Sequence, residues 1–224
     1  MLARLHGHEI GFGRIYRAQW QPQLHGSAPR PRYNIAPGQT VPVVRWHPKK
    51  QRRHIDELGW GLIPHWSTDG KPGAAFARAD RVTSSPLLRQ PFLQRRCLVL
   101  ATGWYSWARL LPGQPPFAFG LAGERIMAPA ALWDGWRAPT GEWFRTCVVL
   151  TAEAPSRLAR FDERVPVIVD PLAYGVWLGE QQAVLSELLA VLRPPPTHSL
   201  TVWPVGPAVK AVSTEGKALL EPMA

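Results

Sequence analysis

The sequence predicts a strand-rich α+β fold in a single domain. Its 24 prolines and 19 glycines are spread along 224 residues, so they divide the chain into many short elements. Apolar runs of strand length recur through the middle of the chain, whereas helical periodicity is limited to a few segments. With 46% hydrophobic and 19% charged residues, the chain can bury a sizeable core, and one domain is expected.

The predicted strands are short apolar or alternating runs that end at glycine, proline or charged residues. In chain order they are 41–46 (VPVVRW), 57–63 (ELGWGLI), 97–101 (CLVLA), 117–121 (FAFGL), 126–133 (IMAPAALW), 144–151 (FRTCVVLT) and 166–169 (PVIV). Such closely spaced strands favour a sheet with tight connections over a helical bundle.

Helices are fewer. One is predicted to begin at Asp170, which can cap the first turn, with Pro171 following it. A second spans 180–193 and stops at the three prolines 194–196, and a short one is expected around Pro86, within 83–94. The apolar face predicted for the second helix contains Val184, Leu185, Leu188, Leu189 and Leu192.

Cysteine and histidine usage argues against disulfides and metal. Cys97 and Cys147 each lie in an apolar strand-like run, so we interpret them as free thiols of the core. The histidines, including His6 and His8, do not fall into ligand spacing with cysteine, and no metal or other cofactor is expected. No segment reads as a membrane span or a secretory signal, which predicts a cytoplasmic protein.

The charge is distributed unevenly. Residues 1–112 contain 17 basic and 5 acidic side chains, whereas residues 113–224 contain 9 and 11. A concentrated positive field favours a polyanionic partner, because phosphate binding releases counterions. Arginine outnumbers lysine 21 to 5, which suits nucleic acid better than a membrane surface. A G+C-rich genome would also explain the arginine preference, but it would not explain the asymmetry.

Tryptophan supplies a second indication of nucleic acid. Of the 11 tryptophans, Trp60, Trp66 and Trp107 lie in segments with glycine or proline within or close to the basic half. An exposed indole in such a segment can stack on an unpaired base. The alternative for each of them is burial in the core, which is the usual environment of so large an apolar ring.

Seven blocks in order resemble one known family. They are RYNIAPGQTVPVVR (32–45), WGLIPHW (60–66), ARAD (77–80), RRCLVLATGWYSW (95–107), ALWDGW (131–136), VVLTAEA (148–154) and RVPVIV (164–169). Together they resemble the SOS-response-associated peptidase family, also described as the SRAP, DUF159 or abasic-site processing family. Several blocks in the right order are far more specific than one motif.

The resemblance implies a fold and an activity. Members fold as one α+β domain with a strongly bent, barrel-like mixed sheet surrounded by short helices, which here would span 1–224. They bind single-stranded DNA near junctions. Active members begin Met-Cys-Gly-Arg, and the exposed N-terminal Cys forms a thiazolidine with an abasic-site aldehyde and removes a leader peptide where one exists. An Asn, a Glu and a His assist that Cys.

This chain departs from the family at all four of those positions. Leu2 stands in place of the Cys, Phe76 in place of the Asn, Ser106 in place of the Glu and Asp162 in place of the His. Thiazolidine formation needs an α-amine and a thiol on one residue, so the resemblance combined with Leu2 predicts a pseudoenzyme.

The DNA-binding positions are better kept. By the resemblance, Arg4 and Arg78 would contact the DNA backbone, Trp66 would wedge or stack at the duplex edge, and Trp107 would line the pocket. Asn34 would shape the floor of the site, although a turn residue that holds backbone is an equal interpretation. Arg32, Arg95 and Arg96 are further candidates for phosphate contacts, or else solvated surface residues.

The prediction is therefore a protein that binds single-stranded or abasic-site DNA noncovalently, with crosslinking and self-cleaving peptidase chemistry lost. One alternative is a protein-interaction scaffold on the same fold, since Phe76 makes the pocket more apolar. Another is residual abasic-site lyase activity through the free amine of Met1. A third is a new catalytic arrangement of Asp80, Ser106 and Asp162.

Overall fold

A computed structural model describes residues 31–108, 111–122, 126–195 and 197–223, together with the backbone of 2–4 and 24–25. The strands in chain order are β1 Leu2–Arg4, β2 Leu24–His25, β3 Thr40–His47, β4 Arg52–Trp60, β5 Phe76–Arg78, β6 Arg96–Val99, β7 Gly103–Ser106, β8 Phe117–Leu121, β9 Ala130–Arg137, β10 Trp143–Glu153, β11 Arg164–Pro166 and β12 Leu200–Pro204. The α-helices are α1 Arg89–Gln94, α2 Ser156–Ala159, α3 Tyr174–Leu178 and α4 Leu185–Val191.

The larger sheet closes into a five-stranded barrel. Its strand order is β10-β9-β6-β3-β4, and β4 returns to pair with β10 in parallel through Thr146–Gly59 and Cys147–Trp60. The other four pairings are antiparallel. Beyond the barrel, the last residues of β10 pair with β5 on one edge and with β11 on the other. The bent, barrel-like mixed sheet expected for this chain is thus confirmed.

A second, four-stranded antiparallel sheet with the order β1-β7-β8-β12 packs beside the barrel. Its first strand pairs Leu2 with Tyr105 and Arg4 with Gly103. The chain therefore brings the N-terminal strand directly against the block that contains Ser106. This placement depends on pairings between residues about a hundred positions apart.

The two faces of the barrel strands have different environments. The inward face contains Val43, Cys97 and Cys147, all fully buried, and both cysteines are free thiols as predicted. The outward face is covered by helices α1 and α3, and the Trp177 indole Nε1 donates a hydrogen bond of 2.9 Å to the Cys97 carbonyl. Among the described residues, no helix is long and apolar enough to cross a membrane.

Strand prediction was accurate where apolar runs were uninterrupted and shifted where polar residues pair. The range of β8 matches its prediction, and β3 differs by one residue at each end. By contrast β4 begins at Arg52, five residues before the predicted start, because the polar segment 52–56 pairs fully with β3. The strand predicted at 166–169 is instead β11 followed by an isolated bridge between Ile168 and Pro129.

The helix at Asp170 begins as predicted. The carboxylate accepts a hydrogen bond of 2.8 Å from the Leu172 backbone N–H, and a 3₁₀ turn leads directly into α3. The short helix expected within 83–94 is α1.

The helix predicted at 180–193 requires a correction. It begins only after Val184, because Gly179 ends α3 at a φ of +83° and Glu180 is held by Arg53 in an ion pair of 2.5 Å. Of the predicted apolar face, only Leu188 is buried, at 4% exposure. The other four residues are exposed or half-buried. Leu192 packs against the edge of the core, and both Leu189 and Leu192 line a surface cavity.

Candidate nucleic-acid interface

Two of the four positions at which this chain departs from the family, Ser106 and Asp162, are in contact, and Leu2 lies in the strand next to Ser106. Leu2 lies opposite Tyr105, the neighbour of Ser106 in β7, although the side chains of Leu2 and Arg4 lie outside the described residues. Ser106 is buried, and its hydroxyl donates long hydrogen bonds of 3.4 Å to the Phe161 carbonyl and to Asp162 Oδ2. The structure therefore brings together two of the four substituted positions through a direct contact.

Phe76, at a third of these positions, has apolar surroundings. The ring packs edge-on against Trp60, with centroids 5.1 Å apart and an interplanar angle of 81°. It also lines a small apolar cavity with Gly103 and Trp104. Gly103 is the strand partner of Arg4, so this cavity borders the N-terminal strand. An amide at position 76 would have few polar neighbours on that side.

The Ser106–Asp162 contact is a weak basis for catalysis. At 3.4 Å the hydrogen bond is longer than those usual for O–H donors, and a serine nucleophile needs a base that accepts its proton. Among the hydrogen bonds of the described residues, no histidine contacts Ser106. Asp80, Ser106 and Asp162 also do not form one catalytic group, because Asp80 forms ion pairs with arginines instead.

Two guanidinium groups converge on Asp80 at the end of β5. Arg78 donates two hydrogen bonds to the carboxylate, at 3.1 Å and 2.7 Å, and remains 56% exposed at its side chain. Arg164 approaches the same carboxylate to 3.7 Å while it donates to the carbonyl and hydroxyl oxygens of Thr151. Hydrogen bonding from Arg78 lowers the pKa of Asp80 to about 2. The result is a fixed pair of cations that share one anion.

A cavity of about 270 Å³ opens beside this pair. Its charged lining consists of Arg78, Asp80, Glu153 and Arg164, and its apolar lining includes Leu189 and Leu192 of α4. A phosphate bound here would therefore lie close to two guanidinium groups and two carboxylates. Such a combination of guanidinium and apolar walls can accept a phosphate and the sugar or base attached to it. The cavity lies at the end of β10 where β5 and β11 pair.

Trp66 is presented to solvent at the tip of the 61–75 loop. The residue before it, His65, fixes the loop on one side. The backbone N–H and the ring Nδ1 of His65 contact Asp134 Oδ2 at 3.0 Å and 2.9 Å. On the other side, the Ser67 carbonyl accepts a hydrogen bond of 2.8 Å from the Trp136 indole. Trp66 itself is 60% exposed, so a rigid loop displays a free indole face.

Trp60 and Trp107 have a different environment from Trp66. Trp60 is 1% exposed, and its indole donates to the Ala75 carbonyl at 2.9 Å. Trp107 is half-buried and packs against the small cluster around Tyr105 and Val205. Of the three tryptophans singled out from the sequence, Trp66 alone presents most of its ring to solvent.

Asn34 is enclosed and holds the C-terminal segment. It is fully buried, and its amide nitrogen lies 3.0–3.2 Å from the carbonyl oxygens of Val209, Ala211 and Thr214. The geometry favours the second interpretation of this residue, a group that fixes backbone, although the backbone belongs to a distant segment and not to its own turn. Asn34 therefore affects the shape of the surface only indirectly, by holding this segment in place.

The three additional arginines have internal partners. Arg32 donates to the Thr40 carbonyl and to Gln39, and Arg95 pairs with the buried Asp134 at 3.1 Å. Arg96 donates to three backbone carbonyls, two of them at the end of α1. These contacts engage all three guanidinium groups in stabilising the fold.

Sequence reasoning missed two features of this surface. Arg164 was recognised only as a matching residue, and its position next to Arg78 depends on the pairing of β10 with both β5 and β11. The contact of His65 with Asp134 joins two blocks about seventy residues apart. The blocks WGLIPHW and ALWDGW contain both residues, but only their proximity in the fold reveals the contact.

Comparisons with known proteins identify the family of this chain. The profile described as SOS response associated peptidase (SRAP) matches residues 12–212. The chain belongs to the SRAP family. Among curated SRAP relatives, the abasic site processing protein YoqW of Bacillus subtilis is 28% identical over 194 residues, covering 85% of this chain and 86% of the relative. HMCES of Gallus gallus is 26% identical over 243 residues, covering 94% and 71%.

Solved structures share the SRAP fold of this chain. A protein from Bacteroides thetaiotaomicron superposes with a TM-score of 0.76 at 21% identity, covering 95% of this chain and 90% of that one. A phage-related protein from Bordetella bronchiseptica gives a TM-score of 0.69 at 22% identity, covering 91% and 92%. At these identities the similarity establishes the fold, and the chemistry has to be argued from the residues present.

Proposed function

We propose that this SRAP chain binds single-stranded or abasic-site DNA noncovalently and lacks the thiazolidine crosslinking and self-cleaving peptidase chemistry of the family. The observation that carries the proposal is the pair of guanidinium groups, Arg78 and Arg164, that converge on the exposed Asp80 beside an open cavity. The curated relatives named above are abasic site processing proteins, which supports DNA as the partner.

Loss of crosslinking follows from the chemistry of the residues present. A thiazolidine forms when one residue supplies both an α-amine and a thiol, and Leu2 supplies no thiol. The two thiols of the chain, Cys97 and Cys147, are internal and fully buried in the barrel. Neither can reach an aldehyde on DNA, so the family's covalent bond has no sulfur donor.

Noncovalent binding needs cations that a phosphate can reach and a ring on which a base can stack. Arg78 meets the first requirement, because a phosphate can take the place of Asp80 on its exposed edge. Trp66 meets the second, since its loop is fixed by His65 and Ser67 while the indole stays exposed. The two groups lie at different positions along β10, because Arg78 pairs with Thr151 whereas the Trp66 loop contacts Asp134 and Trp136, the partners of Thr146 and Phe144. A strand bound at both would extend along β10 for roughly 20 Å.

The crosslinking half is tested with an abasic-site oligonucleotide and denaturing electrophoresis. This chain should give no heat-stable complex, and the B. subtilis relative YoqW serves as the reference reaction. Borohydride trapping in parallel should also give no complex, because the residual lyase route through the Met1 amine lacks proton-transfer partners. A heat-stable band from this chain would refute the loss of the chemistry.

The binding half is tested by fluorescence anisotropy on single-stranded DNA at several salt concentrations. Affinity should fall as salt rises, with a slope that decreases by about 0.7 for each phosphate contact removed. Arg78→Ala should weaken binding roughly tenfold, as expected for one charge-assisted phosphate contact. Arg193→Ala, an exposed arginine at the end of α4, is the matched control and should leave affinity unchanged. Equal effects of the two substitutions would contradict the assignment of Arg78.

A protein-interaction surface is the second candidate, and one observation favours it. Leu172 is 96% exposed, and Val184 and Leu185 at the start of α4 are 62% and 48% exposed. Leu172 also lines a surface cavity with Val176 of α3 and with Ala190 and Val191 of α4, and an exposed apolar surface of this kind often contacts a partner. Absence of any single-stranded DNA binding at physiological salt would favour this candidate over the first.

A further inference from the structure

The two basic hairpins of the barrel lie at the end opposite the candidate site. The β3–β4 turn leads into β4, and the β9–β10 turn leads into β10. Strands β4 and β10 run parallel to each other. Both turns must therefore lie at the same end of the barrel. The site residues Arg78 and Arg164 pair with the last residues of β10, at the other end. Arg78 pairs with Thr151, eight residues after Trp143 in β10, so the two ends are separated by about 26 Å.

The β3–β4 hairpin carries cations without acidic partners. Its sequence from 47 to 54 is HPKKQRRH, and Lys49 and Lys50 are fully exposed at the turn. Within the described residues, no carboxylate forms an ion pair with Lys49, Lys50 or Arg52. The pKa of His47 is lowered by desolvation and then by the charge of Lys50. This hairpin accounts for much of the charge excess of the first half that the site does not use.

The β9–β10 hairpin adds an exposed indole between two arginines. Trp143 is 62% exposed and pairs with Arg137, and Arg145 follows two residues later on the same face of the strand. The ring lies across the backbone of Gly135, where an added Cβ would be 3.7 Å from it. One side of the indole is thus supported and the rest is open, and both arginines are exposed beside it.

We propose that these two hairpin ends, between which β2 pairs with β4, bind DNA as a second site composed of Lys49, Lys50, Arg137, Trp143 and Arg145. It would take the phosphates and bases of a single strand that continues from the candidate site. This rests on the proposed function only in that the partner is DNA. An indole flanked by guanidinium groups is the arrangement that binds unpaired bases and their phosphates without sequence preference.

The length of the strand provides the test. An oligonucleotide of about 3 nucleotides is shorter than the smallest sites of single-strand binding folds, about 4 nucleotides, and can occupy only one end, whereas about 25 nucleotides can reach both. We would measure the affinity of both lengths for the wild type, for the triple variant Lys49→Ala, Lys50→Ala, Arg145→Ala, and for Trp143→Ala. Thermal midpoints establish that each variant is folded. All four side chains are exposed, so no large loss of stability is expected.

The triple variant should bind the long oligonucleotide at least tenfold more weakly, with a salt slope lower by about 2, as three lost contacts imply. Trp143→Ala should weaken the same complex roughly fivefold, within the range for one stacked base. The affinity for the short oligonucleotide should stay unchanged in both variants. The matched control, Arg193→Ala, Lys210→Ala, Lys217→Ala, removes three exposed charges elsewhere and should have little effect.

Two outcomes would overturn this proposal. One is an unchanged affinity of the triple variant for the long oligonucleotide. This result would overturn the proposal even if the variant no longer bound phosphatidylserine vesicles. The other is an equal loss in the control, which would indicate a bulk charge effect. Failure of the candidate site is distinguishable from both. If binding of the long oligonucleotide depends on the hairpins but is unaffected by Arg78→Ala, the hairpin proposal is supported and the assignment of Arg78 to DNA binding is wrong.

Discussion

Asp80 occupies the place that a phosphate would take. Its carboxylate accepts two hydrogen bonds from Arg78 and lies 3.7 Å from Arg164, and half of its side chain is exposed. The pKa of about 2, which hydrogen bonding from Arg78 produces, keeps Asp80 ionised at neutral pH. If the proposed site binds DNA, this carboxylate would compete with a phosphate for the two guanidinium groups.

The substitution Asp80→Asn should therefore increase affinity for single-stranded DNA. Removing one negative charge from an exposed cluster should strengthen binding roughly threefold, in line with the small energies of exposed ion pairs. Anisotropy titrations at constant salt would measure it, with Glu221→Gln as the control for an exposed carboxylate of the C-terminal segment. A weaker complex would show instead that Asp80 positions the guanidinium groups.

The two thiols should be unreactive in the folded protein. Burial raises the pKa of Cys147 to about 12 and that of Cys97 well above its usual range, so neither forms a thiolate at neutral pH. Iodoacetamide at about pH 8 should modify no cysteine of the native chain and both in denaturant, as mass spectrometry would record. Modification of the native protein would show that the barrel opens.

At the scale of elements, Asn34 links the chain before β3 to the C-terminal segment. Its amide lies within hydrogen-bond distance of three carbonyls, and such interior groups are expensive to leave without donors. Asn34→Ala should lower the free energy of unfolding by about 2 kcal/mol, measured by urea denaturation. The affinity for single-stranded DNA should change less than twofold if the role is structural. A large loss of affinity in a stably folded variant would indicate instead that Asn34 contacts DNA directly.

The hairpins show how elements divide the work of binding. Each barrel strand has one end at the candidate site and one at the basic turns, so a single closed sheet fixes both surfaces relative to each other. The blocks with family resemblance lie mostly at the site end or in the core. Residues 47–54 fall between two of those blocks, so family comparison gave no indication of their role.

At the scale of the molecule, an ionic cluster inside the barrel couples stability to pH. Asp56 accepts hydrogen bonds from His54, at 3.0 Å, and from Arg45, whose guanidinium also lies 4.2 Å from the Trp133 ring. The His54 hydrogen bond, followed by those of Arg45, holds the pKa of Asp56 well below its ordinary value of 3.8. A carboxyl whose pKa is depressed by folding stabilises the protein above its unfolded pKa and loses that contribution as the pH falls below it.

Acid should therefore destabilise the wild type more steeply than Asp56→Asn. Between about pH 6 and about pH 3, the free energy of unfolding of the wild type should fall by about 1 kcal/mol more than that of the variant. Urea denaturation at both pH values provides the measurement. The variant should be less stable at the higher pH, because Arg45 loses its partner. Parallel pH profiles would show that Asp56 is not the group responsible.

Much of this protein was determined by the sequence alone. Apolar runs located β3, β6, β8 and β10 to within a few residues, and the ordered motif blocks identified the family and its barrel-like sheet. The charge asymmetry pointed to a polyanionic partner, and Trp66 was one of three tryptophans for which base stacking and burial both remained open. These properties are local or additive, so they can be read without knowing which strands pair.

The tertiary structure alone decided which residues act together. Helix α4 has a helical apolar pattern, yet most of that face is exposed, because Glu180 and Gly179 divert the chain before it can pack. Arg78 and Arg164, 86 positions apart, meet at Asp80 because β5 and β11 flank the same end of β10. Lys50 and Trp143 share the opposite end because β4 and β10 run parallel. Charge and composition do not specify which distant residues meet, because that is determined by the pairing of the strands in the folded sheet.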